Sequence, residues 1–177
     1  MEKRIVRRSG EDFRTIWQKP DDPSVIQIID QRRLPHEYVV EDLGSWQDGA
    51  HAISEMLVRG APLIGATAAW SLYLAALESR DSADRVGFIR NAAATLAATR
   101  PTAVNLRWAI DRVLRVLAAT EDVDAIEGAL QQEARDICDE DVEISRGIGE
   151  QGLKLIEEIS ARKSGDTVNV LTHCNAG

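Results

Sequence analysis

Cysteine is scarce in this chain of 177 residues, with only Cys138 and Cys174 present. Two cysteines allow at most one disulfide and no disulfide framework, a count that suits a reducing cytosol, so a cytoplasmic location is expected. Histidine is nearly as rare. His36, His51 and His173 are scattered and the two cysteines lie far apart, so no metal-ligand spacing forms and no metal is expected. Long hydrophobic runs are missing too. The N-terminal MEKRIVRRSGEDF is basic but has no apolar segment of the secretory type. The most apolar stretch, residues 61–77, is short for a membrane span and is interrupted by Gly65, Thr67 and Ser71, which points to a buried core helix and to no membrane partner. Excess positive charge is also lacking. With 21 basic against 29 acidic residues the net charge is −8. Such a chain repels a phosphate backbone at long range, which argues against a nucleic-acid partner. The four tryptophans therefore read as packing, since no basic groove accompanies them. There is no internal repeat and no low-complexity tract.

What remains is an ordinary globular composition, long enough for one domain with a real core. Residues 24–30, SVIQIID, form a β-branched run, and 36–43, HEYVVEDL, a second and shorter one. Pro35 between them limits the conformation before it. Two strands joined by a compact turn predict a small antiparallel layer. From Ser45 the period becomes helical. Ser45 and Asp48 have the spacing of a capping box, with Ala52, Ile53, Met56 and Leu57 as the apolar face. Gly60 is expected to close that helix in a left-handed conformation, and Pro62 to open the next. Further helices are predicted over 81–100, 102–120 and 122–163, the last with a break near SRGIGEQG, where Gly147, Gly149 and Gly152 cluster. Residues 163–166 read as a loop and TVNVLT, 167–172, as a buried strand. A lone strand leaves its ladder groups unpaired, so an α/β domain is expected to begin near residue 166, with its remainder missing from this chain.

Three places can carry chemistry. In VRGAPLIG, 58–65, a Gly-Ala-Pro turn opens an apolar helix and presents its first N–H groups, with Arg59 as a bidentate donor for phosphate. In TRPTAVNLRW, 99–108, Arg100 precedes Pro101 at the start of another helix. Taken singly, each reads better as a plain interhelical turn with a surface arginine; two in one small domain shift the reading modestly towards a phosphorylated ligand. The third is THCNAG, 172–177. Ligands of open α/β folds bind at the carboxyl ends of strands, and a cysteine there can have a thiolate stabilised by nearby amides. The usual fate of a cysteine is burial as an inert packing residue. His173 and Cys174 diverge unless the strand has already ended. Cys138 is expected to face a helix core. The run DEDVE, 139–143, is expected to be a solvated helix face, with one residue at most turned inwards.

Together IDQRRLP, VRGAPLIG, RPTAVNLRWAID and VLTHCNAG, in this order and spacing, resemble the methylthioribose-1-phosphate isomerases, which share a fold with the regulatory subunits of initiation factor 2B and with ribose-1,5-bisphosphate isomerase. The resemblance runs from about Ile26 to Gly177, and EDVEISRGIGEQG looks like the family's corresponding helix. It implies an α+β domain over residues 1–165, a small antiparallel layer with a helical bundle, leading at 166–177 into the first strand and active-site loop of a Rossmann-like domain. It implies an aldose–ketose isomerisation in methionine salvage, from 5-methylthioribose 1-phosphate to the ketose, with no cofactor. Arg59, Gly60, Ala61 and Arg100 would hold the substrate. Cys174 would match the active-site cysteine, and its aspartate partner would come from the second half of the same protein. A homodimer is implied as well. The same scaffold also fits ribose 1,5-bisphosphate or a 5-deoxyribose 1-phosphate as substrate, or a non-catalytic regulatory subunit.

Overall fold

Five α-helices and a three-stranded sheet make up residues 14–173, the part of the chain described by this computed structural model. The sheet is antiparallel in the order β1 (Ile16–Gln18), β2 (Ile26–Ile29), β3 (Val40–Leu43). Ile16 stands opposite Ile28, and Ile26 opposite Leu43, so one face of the layer is aliphatic and buried. β1 is absent from the sequence reading: three residues are too few to show a period. The second strand is shorter than expected: His36 ends a turn, with the His36 and Glu37 N–H groups donating to the Arg33 carbonyl, and strand pairing begins only at Val40.

The helices follow as α1 (Trp46–Ser54), α2 (Ala61–Glu78), α3 (Arg85–Thr99), α4 (Val104–Ala119) and α5 (Ile126–Arg162). Single 3₁₀ turns precede α3 and α5. α2 is the axis of the molecule. Every residue from Leu63 to Ala76 is buried, as a helix apolar on all sides requires. α1, α3, α4 and α5 pack around it. Its two buried hydroxyls are satisfied internally, Thr67 donating to the Leu63 carbonyl at 2.7 Å and Ser71 to that of Thr67 at 2.6 Å.

Small residues set the helix spacing. A Cβ added at Gly65 would stand 2.9 Å from the Asn105 carbonyl oxygen, so α2 and α4 touch backbone to backbone. Gly65→Val is therefore expected to destabilise the fold by about 2–3 kcal/mol through overpacking, read as a lower urea midpoint at unchanged slope.

The capping box at α1 is present, with the Asp48 N–H donating to Ser45 Oγ and the Ser45 N–H to Asp48 Oδ2. The end of α1 differs from expectation. The left-handed residue is Met56, at φ 60°, which turns the side chain off the apolar face and leaves it 40% exposed. Gly60 does take a positive φ, 87°, but it heads α2 instead of closing α1. α4 begins at Val104, later than expected, after an Arg100–Ala103 turn.

α5 also departs from the reading. It is one uninterrupted helix of 37 residues, roughly 55 Å at 1.5 Å per residue. A glycine costs a helix about 1 kcal/mol but leaves its hydrogen bonds intact, and Gly147, Gly149 and Gly152 have no neighbour that a Cβ would meet. Its first turns seal the core through Ile126, Leu130, Ala134 and Ile137, and its later turns are mostly exposed. Residues 163–166 form the expected turn, with Ser164 and Gly165 at positive φ. The strand expected at 167–172 is instead mostly exposed chain without regular structure, Leu171 being 99% accessible. A strand exists only as a paired object, and among the described residues no sheet edge lies beside it. No helix among the described residues is long and apolar enough to cross a membrane.

Candidate anion-binding site

α1 and α3 begin with a side-chain cap, Ser45 accepting from the Asp48 N–H and Asp84 from the Gly87 N–H. α5 lacks one too, but it follows a 3₁₀ turn capped by Asp122 and carries Glu127 in its first turn; α2 and α4 begin with neither a side-chain cap nor an acidic residue in the first turn. Their leading N–H groups thus keep no side-chain partner, and each helix presents the positive end of its dipole unopposed. These two uncapped ends are the two that follow an arginine. Gly60 at φ 87° turns the chain sharply between Arg59 and Ala61, a conformation that favours glycine.

The close approach at Gly65 has a second consequence. Gly65 is the fifth residue of α2 and Asn105 the second of α4, so their contact sets the two N-terminal ends side by side. Arg59, Gly60, Ala61 and Arg100, which are 41 residues apart from first to last in sequence, are brought to one end of the helical body. Arg59 is half-buried and its Nε is enclosed without a hydrogen-bond partner among the described residues. A buried guanidinium N–H without an acceptor is costly unless a ligand supplies one. Cys174 lies outside the described residues, and His173 is exposed in the chain leading to it.

The IDQRRLP segment supports this end of the molecule, a role its sequence did not disclose. Asp30 is 1% exposed and accepts from the Arg32 N–H at 3.0 Å, from Nε at 2.9 Å and from Nη2 at 2.8 Å. The turn so fixed donates the Gln31 N–H to the Leu57 carbonyl at 2.9 Å, two residues before Arg59. Hydrogen bonding from Arg32 holds the Asp30 carboxyl below the usual aspartate range. A depressed folded pKa stabilises above the unfolded value of about 3.9 and loses that contribution as pH falls through the folded one. Asp30→Asn is accordingly expected to cost about 1–3 kcal/mol at pH 7 and progressively less below pH 4. Denaturant titrations of both proteins at the two pH values check this, and an equal cost at both would count against the assignment.

Cys138 is the packing residue that its helix position suggested. Trp70 Nε1 donates to its sulfur at 3.3 Å, and burial pushes the thiol up, away from reactivity. The acidic run 139–143 divides. Asp139 pairs with Arg14 at 2.8 Å and Glu140 with Arg112, both near the surface. Asp141 is the one that turns inwards, and burial raises its carboxyl. Among the described residues no group of three or more His, Cys, Asp or Glu gathers as metal ligands would.

A small antiparallel sheet under a helical body, with two arginine-flanked and uncapped helix ends set together, defines an α+β domain. Sequence comparison makes the class specific. The Initiation factor 2 subunit family matches residues 57–177, and the chain belongs to that family. It is 51% identical over 172 residues to the methylthioribose-1-phosphate isomerase of Methylorubrum extorquens, covering 97% of this chain and 45% of that protein. Among solved structures it is similar to the 5-methylthioribose 1-phosphate isomerase of Pyrococcus horikoshii, with a TM-score of 0.70 and 38% identity over 81% of this chain and 41% of the other. It is equally close in fold to the delta subunit of translation initiation factor eIF-2B from A. fulgidus, with a TM-score of 0.73 and 35% identity over 81% and 42%. The chain therefore spans less than half the length of each of these relatives.

Proposed function

We propose that this chain supplies the phosphate-holding half of an aldose–ketose isomerase that converts 5-methylthioribose 1-phosphate to 5-methylthioribulose 1-phosphate, in a cytoplasmic homodimeric enzyme of methionine salvage. One observation carries the reading: the two uncapped helix ends, each preceded by an arginine, meet at the Gly65–Asn105 contact. It is supported by the isomerase names of the relatives.

A sugar phosphorylated at C1 cannot open as a free hemiacetal does. The ring oxygen must be protonated, and a hydrogen must then move from C2 to C1. In this reading Arg59, the Gly60–Ala61 backbone and Arg100 hold the phosphate and orient C1 and C2. Cys174 handles a proton or stabilises the transition state, and a carboxylate outside this stretch acts as acid or base. A dry pocket protects the open form from water. The second half of the protein would complete the site and carry most of the dimer contact. The test is direct: the intact protein, given 5-methylthioribose 1-phosphate, should form the ketose, and absence of conversion would overturn the reading.

A second reading draws on the likeness to the initiation-factor subunit, whose fold is as close. There the same anion site would bind a phosphorylated ligand without turning it over. The THCNAG motif, with Cys174, favours the catalytic reading.

A further inference from the structure

The two halves of α5 are held differently. Its first half is pinned to the body. Ile126, Leu130, Ala134 and Ile137 are buried. Arg135 donates to Gln18 at 2.7 Å, Arg14 pairs with Asp139 at 2.8 Å, and Arg112 donates to Glu140 at 2.6 Å. Ile144 still lines a cavity together with Pro62 of α2 and Val104 of α4. Past Ile144, the side chains of α5 form hydrogen bonds and ion pairs only within the helix, among the described residues: Arg146 with Glu143 at 3.3 Å and Lys154 with Gln151 at 3.0 Å. Residues 145–162 thus make an arm of roughly 27 Å at 1.5 Å per residue.

Gly147, Gly149 and Gly152 stand at the root of that arm. Packing within the described residues asks for none of them, since a Cβ at any of the three would meet nothing within 4 Å. Alanine would make the helix stronger at each position, so the glycines keep this stretch softer than its surroundings require. Ser145 lies beside them, and glycine and serine are where helices without proline bend sharply. A bend of about 20° at Gly147 swings Arg162 by roughly 8 Å. The arm ends in the 163–166 turn and the chain 167–173, which leads to Cys174. Arg59 and Arg100, by contrast, belong to the pinned body.

We propose that residues 145–152 are a hinge: α5 bends there and carries the chain leading to Cys174 towards and away from the anion site, which stays fixed on the body. The inference rests on the isomerase reading above, in which Cys174 acts on a sugar held by Arg59 and Arg100, and it adds how the two are brought together. An open arrangement admits the sugar, and a closed one excludes water during the reaction. The helix suits the task, because a few backbone torsions in an exposed stretch absorb the bend while the buried contacts of Ile126–Ile137 stay intact.

The triple variant Gly147→Ala, Gly149→Ala, Gly152→Ala of the intact protein tests the hinge. Amide hydrogen exchange across 145–160 should slow by about fivefold or more, as the gain in helix propensity requires. Turnover of 5-methylthioribose 1-phosphate should fall about tenfold in kcat, the mark of a hindered conformational step. Calorimetric affinity for inorganic phosphate should not change, because the anion site lies on the pinned body. A second variant keeps the three alanines and moves the glycines to the exposed positions Ser145, Glu150 and Gln151. A hinge needs softness in this stretch and no particular side of the helix, so most of the lost turnover should return. Unchanged kcat in the triple variant, or a loss that the relocated glycines do not restore, would overturn the hinge and make the glycines a matter of close packing, while the isomerase reading stood. If the unmodified protein converts no sugar, that reading fails and takes the hinge with it.

Discussion

Replacing Arg59 by Ala is expected to weaken binding of a sugar 1-phosphate about 10–100-fold, and replacing Arg59 and Arg100 together about 10²–10³-fold. Each hydrogen bond to a charged group contributes about 1.5–3 kcal/mol, and the pair shares one anion, so the two losses should not simply add. The fold should not suffer. Arg59 Nε is enclosed without a partner among the described residues, so removing it relieves a buried unsatisfied donor. The melting temperature of Arg59→Ala should match or exceed that of the unmodified protein, the pattern of a residue kept for function at some cost in stability. Arg59→Lys should restore only part of the affinity, because an ammonium offers a point charge and no planar fork. Titration with 5-methylthioribose 1-phosphate and a melting curve measure both. Unchanged affinity in the double variant would remove the anion site and, with it, the proposed function.

Cys174→Ser is expected to lower kcat about 10²–10⁴-fold, the range that one positioned proton-transferring group contributes, with little change in KM. A serine hydroxyl matches the thiol in reach but ionises far less readily, so it cannot share a proton near neutral pH. The split between kcat and KM is the informative quantity. A rise in KM alone would make Cys174 a binding residue, and unchanged turnover would make it a bystander. Cys138→Ser serves as the contrast. That thiol is shielded under Trp70 and raised by burial, and its loss should cost stability but not the chemical step.

Local chemistry was legible where it depends on neighbours in sequence. The Ser45–Asp48 box and Pro62 inside the first turn of α2 are both present. These follow from helical spacing and from one residue's own hydrogen-bonding reach. The misses have a common cause. β1 is too short to carry a period. α5 runs through three glycines because nothing near them forces a break. Residues 167–172 have the composition of a strand, but composition does not supply a pairing partner.

The site divides in the same way. Sequence alone determined that two arginines precede helix starts, that the chain is acidic and unsuited to a nucleic-acid backbone, and that its motifs stand in the order of one family. Tertiary structure decided that the two helix starts meet, since only a glycine at position 65 lets the α2 backbone reach Asn105. It also decided that Asp141, out of the four acids in the run 139–143, is the one that faces inwards beside Trp108. Charge and capping are properties of a residue and its neighbours. Which uncapped ends share a cavity is a property of helix packing, and one hydrogen atom in place of a side chain settles it.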